Sequence, residues 1–201
     1  MKSIIRTLAL CFASFCLVAT PLLAADDMKM EKSDSMTESL RSLKGKEFEV
    51  SFLQEMIKHH GSAIDMASLA ETNAESPEVK KLARNIVTKQ KEEIAQMTGW
   101  LKSWYGQEPV SSMNMGDMKD HETMMKMDAS MKEMHAKLED VKGAEFDQMF
   151  LQMMSMHHQG ALAMAQLVEG RAEHEDLEKL AKSIIADQKK EIAEMKSMLK
   201  S

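Results

Sequence analysis

Apolar residues recur along this chain at helical spacing from residue 47 onward. On a wheel of about 100° per residue, Phe48, Phe52, Met56, Ala63, Met66 and Ala67 share one arc. Leu53, Ile57 and Ile64 extend that arc, whereas Glu55, Lys58 and Asp65 fall outside it. The pattern predicts a helix from about Glu47 to Asn73. Ser76-Pro77-Glu78 then supplies an N-cap, a proline at the first helical position and an acid in the first turn. A second helix is predicted from there to Tyr105, with Leu82, Ile86, Ile94, Met97 and Leu101 as its buried stripe, and Gly106-Gln107-Glu108-Pro109 stops it. Leu40 to Leu43 predicts a short lead-in helix ending at Gly45. A second lead-in is predicted over 128–142, followed by helices over Ala144 to Gly170 and His174 to Lys200. Beyond the first residues, nothing alternates like a strand over a useful length.

The later pattern copies the earlier one at an offset of 98 residues. Leu40, Gly45, Glu47, Phe48, Phe52, Leu53 and Gln54 match Leu138, Gly143, Glu145, Phe146, Phe150, Leu151 and Gln152. Gln90-x-x-Glu93-Ile94-Ala95-x-Met97 matches Gln188-x-x-Glu191-Ile192-Ala193-x-Met195. About half of the positions from Phe48 to Leu101 are identical to their partners, so the chain reads as a tandem repeat. Neither helical hairpin would bury its apolar stripe alone. The expected fold is all-α: one antiparallel four-helix bundle built from two tandem helical-hairpin repeats. The expected organisation is a signal peptide over 1–25 and a disordered segment over 26–37. The first repeat follows over 38–105, a Met-rich flexible linker over 106–127 and the second repeat over 128–201.

The signal-peptide reading rests on Lys2 and Arg6, a short apolar run from Leu8 to Ala19, and small residues at Ala24 and Ala25. That run is too short to span a bilayer comfortably. Both cysteines, Cys11 and Cys16, lie inside it, so the mature chain has neither a disulfide nor a thiolate metal site. Losing Lys2 and Arg6 lowers the formal charge from −6 to −8. An acidic chain with few aromatics is a poor partner for nucleic acid. A periplasmic or secreted protein without stable membrane insertion is expected.

The polar residues on the apolar faces carry the chemistry. His59-His60 recurs as His157-His158, and all four fall inside the apolar arc. Gln90 and Glu93 interrupt the buried stripe of the next helix, as Gln188 and Glu191 do in the second copy. Met56, Met66 and Met97 surround the first histidine pair in sequence and by helix pairing, and Met154, Met164 and Met195 repeat this. Imidazole binds Cu, Zn, Ni and Fe, whereas thioether selects soft ions, above all Cu(I) and the similar Ag(I). A buried glutamate orients a ligating histidine. The architectural alternative is a hydrogen-bond network in which the imidazoles donate to Glu93 and Glu191. Between the repeats, Met113, Met115, Met118, His121, Met124, Met125 and Met127 stand where Leu, Ile and Val are nearly absent, so they are weak core residues. They are further metal candidates or an adaptable partner-binding surface. Met131, Met134 and His135 continue that run, and Met28-x-Met30 is a smaller instance. Enzyme signatures are missing: there is no helical Glu-x-x-His, H-E-x-x-H, G-x-S-x-G or Gly-rich phosphate loop.

The paired His-His-x-x-Ala-x-x-Met-Ala segments, each preceded by Phe-x-x-x-Phe-Leu and followed by Gln-x-x-Glu-Ile-x-x-Met, resemble the domain of unknown function 305 family. The resemblance spans about Leu40 to Leu199. It implies a ferritin-like bundle, export from a bacterial cell and, as in the CopM-type copper-binding members, metal handling through Met and His. Carried over, the ligands are His59, His60, Met56, Met66, His157, His158, Met154 and Met164. Lys58 and Gly61 stand where the second copy has Met156 and Gln159. The expected function is a non-enzymatic, exported copper/silver-binding protein that buffers or ferries soft ions, Cu(I) before Ag(I), with other copper-handling proteins as further partners. The alternatives are a structural or adaptor bundle with a buried His–Glu network, and a bundle enzyme holding a redox metal.

Overall fold

The computed structural model describes residues 37, 39–110, 129 and 132–200. Four long helices dominate: α1 Gly45–Asn73, α2 Pro77–Tyr105, α3 Gly143–Ala165 and α4 Glu175–Met198. No strand occurs among the described residues beyond an isolated bridge of Ala74 to Gly143. Short helical pieces at 39–41 and 132–139 lead into α1 and α3. None of the described helices is long and apolar enough to cross a membrane.

Local chemistry sets the helix ends. The Ser76 hydroxyl accepts from the Val79 N–H at 3.3 Å, Pro77 opens α2, and Gly106 closes it in the left-handed region at φ 65°. α1 starts two residues before the expected Glu47. Gly45 adopts φ 57°, in the left-handed region that favours glycine, and a Cβ there would also push aside the Glu173 carboxylate. α3 ends at Ala165 rather than Gly170. The chain turns there, Val168 drops into the core from the turn, and Gly170 takes φ 70°.

α1 packs on α2, α3 on α4, and α1 on α3. Phe48 and Phe52 of α1 share a core with Ala161 and Met164 of α3. Ala67 and Ala70, further along α1, share a second core with Phe146 and Phe150. The two inner helices therefore run antiparallel. Each core holds a stacked phenylalanine pair, Phe48–Phe52 at 5.9 Å and Phe146–Phe150 at 5.7 Å between centroids. Removing one such ring costs about 3–5 kcal/mol. Ile94, expected in the stripe, is only half-buried.

The lead-in segments cover more of the bundle than helical periodicity implies. Thr37, expected in a disordered stretch, is helical and buried. Glu55, expected to face outward, is buried and accepts from the Ser39 hydroxyl at 3.0 Å. Part of the expected linker is also fixed. The Gln54 side chain donates to the Glu108 carbonyl at 3.1 Å and accepts from the Val110 N–H at 2.8 Å.

The two halves exchange contacts. Buried Glu49 accepts from the N–H groups of Glu173 and His174 at the start of α4, at 2.7 and 2.8 Å. Its counterpart Asp147 accepts from the N–H groups of Glu75 and Ser76 at the start of α2, at 3.2 and 2.8 Å. Each acid thus caps the other half's second helix, satisfying donors a helix start leaves open. Swapping the halves maps one contact onto the other, so an approximate two-fold axis relates them.

Candidate metal centre

A polar layer separates the two apolar cores. His59 and His157 meet on the two-fold axis where α1 crosses α3, with ring centroids 3.8 Å apart. His60 and His158 lie to either side. A carboxylate only accepts, so His60 donates Nε2–H to Glu93 at 2.8 Å and His158 donates Nε2–H to Glu191 at 2.7 Å. In the neutral ring such a bond fixes the tautomer and leaves Nδ1 with its lone pair for a ligand. All four imidazoles are buried.

Among the described residues, six ring nitrogens have no hydrogen-bond partner: both of His59, both of His157, and Nδ1 of His60 and His158. The amide oxygens of Gln90 and Gln188 are unpartnered too. Each unmet buried donor or acceptor costs roughly 1–3 kcal/mol. Such a cluster is expensive unless something else occupies it. Burial first, and the neighbouring imidazoles second, hold His59 and His157 well below the usual histidine range. They are neutral, the form that ligates metal. The architectural network therefore accounts for His60 and His158 but leaves His59 and His157 unexplained.

The methionines are sorted differently from the sequence expectation. Met56 and Met97 of the first copy share a core with Met164 of the second. Met154 and Met195 of the second share the other core with Met66 of the first. All six are fully buried. Each cluster takes its third thioether from the opposite half because α1 and α3 run antiparallel. The Met195 sulfur accepts from the Ser155 hydroxyl at 3.5 Å. Among the described residues no three His, Asp or Glu side chains group as a metal site, so imidazole nitrogen would need thioether to complete a ligand set. Gln90, Glu93 and Gln188 are buried beside this layer and Glu191 is partly so, as their place in the stripe implied. Met113, Met115, Met118, His121, Met124, Met125 and Met127 lie outside the described residues.

One polar network escaped the sequence reading. Glu49 also accepts from Tyr105 and from His174 Nδ1, the latter at 2.6 Å. Burial raises its pKa, but hydrogen bonds from Tyr105 and His174 outweigh that and hold it below the usual carboxylate value. Burial and the Glu49 carboxylate push the Tyr105 hydroxyl well up. Trp104 stacks on the His174 ring at 3.8 Å. The available signal was an acid in both copies, Glu49 and Asp147, directly after a core phenylalanine.

Comparison with known proteins bears on this layer. The family described as Domain of unknown function (DUF305) matches residues 22–68 and 49–199. This chain belongs to the DUF305 family. Among solved structures it is similar to CopM in the Cu(I)-bound form, at 34% identity over 76% of this chain and 95% of that one, with a TM-score of 0.60. CopM in the Ag-bound form, by co-crystallization, is similar at 33% identity over 76% and 95%, with a TM-score of 0.60. A DUF305 fragment from Deinococcus radiodurans is similar at 32% identity over 75% and 94%, with a TM-score of 0.62. No curated protein sequence matches the chain. The DUF305 bundle is thus the fold, and its solved neighbours include proteins that hold copper and silver.

Proposed function

We propose that this protein is an exported, non-enzymatic bundle that captures soft cations, Cu(I) and Ag(I), and buffers or passes them on. The observation that carries the reading is the set of ring nitrogens without a partner among the described residues, on four buried imidazoles lying between two cores that hold six buried methionines. Thioether and neutral imidazole together suit monovalent soft ions, and no thiolate competes in the mature chain. His60 and His158, anchored by Glu93 and Glu191, would offer Nδ1, and His59 and His157 either nitrogen. Met56, Met97 and Met164 would serve one side of the layer, and Met154, Met195 and Met66 the other. Export rests on the N-terminal signal pattern, and the Cu(I)- and Ag-bound forms of CopM support the choice of ions.

Competition between chelators and the mature protein under reducing conditions tests the ion. Cu(I) or Ag(I) is expected to bind well ahead of Zn(II), and equal or tighter zinc binding would sink the soft-site reading. A second expectation concerns the methionine run between the halves. Replacing Met113, Met115, Met118, Met124, Met125 and Met127 by leucine should lower the number of Cu(I) ions bound. Helicity and melting temperature should hardly change, because these positions lie outside the expected core. An undiminished ion count would assign all binding to the bundle.

A further inference from the structure

The seam between α2 and α4 offers a cation a way toward His60. His60 is fully buried, and among the described residues its hydrogen bond toward solvent runs to Glu93. Glu93 lines a groove of about 520 Å³ between these helices, together with Lys89, Glu92, Trp100, Asp176 and Lys179. The carboxylates there favour a cation. Lys89 already supplies one. Its ammonium lies 3.2 Å from Asp187 across the seam and 3.9 Å from Glu93 one turn along its own helix.

The duplication makes this lysine informative. Its counterpart, 98 residues on, is Asp187 itself. The ion pair therefore sits on the two-fold axis, where the two copies have diverged to opposite charges. Glu93 has an ammonium one turn before it, while Glu191 has a carboxylate in the same place. Exposure follows the same asymmetry: the Glu93 side chain is 6% accessible and that of Glu191 17%.

Building on the soft-cation reading, we infer that Lys89 is a latch which makes the two halves load unequally, with cations entering first past Glu191 to His158 and only later past Glu93 to His60. An ammonium beside Glu93 repels an incoming Cu(I) or Ag(I) and occupies the place such an ion would take first. Glu191 has no ammonium one turn before it, and its greater exposure leaves it open to the ion. The ion pair is half-exposed and therefore weak, so it delays entry without blocking it.

The test adds Ag(I), a redox-inert probe, in less than stoichiometric amount from a slowly releasing chelator to the full mature chain. The ring-proton NMR signals of His60 and His158 are followed over time. In the wild type the His158 signal should change first. In Lys89→Met the two should change together, with loading past Glu93 accelerated about tenfold or more, the lower end of what charge focusing gives. Asp187→Lys should delay His158 in turn. Lys89 contacts no proposed ligand, so the number of Ag(I) ions bound at saturation should stay the same. Simultaneous loading in the wild type, or an unchanged order in Lys89→Met while Ag(I) still binds, overturns the latch. Failure of Ag(I) to shift any histidine signal would instead overturn the soft-cation function.

Discussion

Replacing His59, His60, His157 and His158 by alanine is expected to abolish the stabilisation that Cu(I) or Ag(I) gives the native bundle. An ion that binds only the folded state adds about 2.7 kcal/mol at a hundredfold excess over its Kd. For a chain of this size that is a rise in melting temperature of roughly 5–10 °C. The substitutions also change the metal-free protein. Glu93 and Glu191 lose the donors at 2.8 and 2.7 Å, and buried carboxylates left without them are costly. The decisive quantity is therefore the metal-dependent increment, not the melting temperature itself. Calorimetry with and without Ag(I), in a chain whose methionines from Met113 to Met127 are already leucine, isolates it. An increment that survives the fourfold change would make these histidines architecture. Because each methionine cluster draws on both halves, replacing only His59 and His60 should weaken both sides rather than silence one.

Much of this arrangement is written in local pattern. Ser76-Pro77-Glu78 and Gly106 mark the ends of α2 because caps and a left-handed glycine act within a few residues. The apolar arc of α1 places His59 and His60 inward because the wheel needs only helical geometry. What failed to show in the sequence depends on neighbours far along the chain. Val168 continues the helical spacing of α3 yet reaches the core from a turn, and no proline announces the break. Glu55 lies outside the apolar arc, but Ser39 and the lead-in helix cover it. Glu49 looks like a surface acid until the start of α4 arrives from 124 residues away. The histidine quartet was legible as a set, but its division was not. Only the antiparallel crossing of α1 and α3 brings His59 against His157 and sends Met66 and Met164 to opposite halves.

That crossing also predicts how acid affects the protein. His59 and His157 are held low by burial first and by neighbouring imidazoles second, while in the unfolded chain they titrate near the ordinary value of about 6.5. Above that pH neither state binds the protons, and these two groups add no pH dependence. Below it the unfolded chain gains protons that the folded one refuses. Each imidazole then removes up to about 1.4 kcal/mol of stability per pH unit. Two together are large against a typical total of about 5–15 kcal/mol. The metal-free protein should accordingly lose melting temperature steeply between about pH 6.5 and 5. Glu49 does not confuse this window, because its carboxyl is held below the usual range and its contribution is lost only at lower pH. His59→Leu with His157→Leu should flatten the slope. At pH 7.5 the variant should be no less stable than the wild type, since apolar side chains replace four unpartnered nitrogens. Parallel pH profiles for the two proteins would show that the axial pair does not carry the effect.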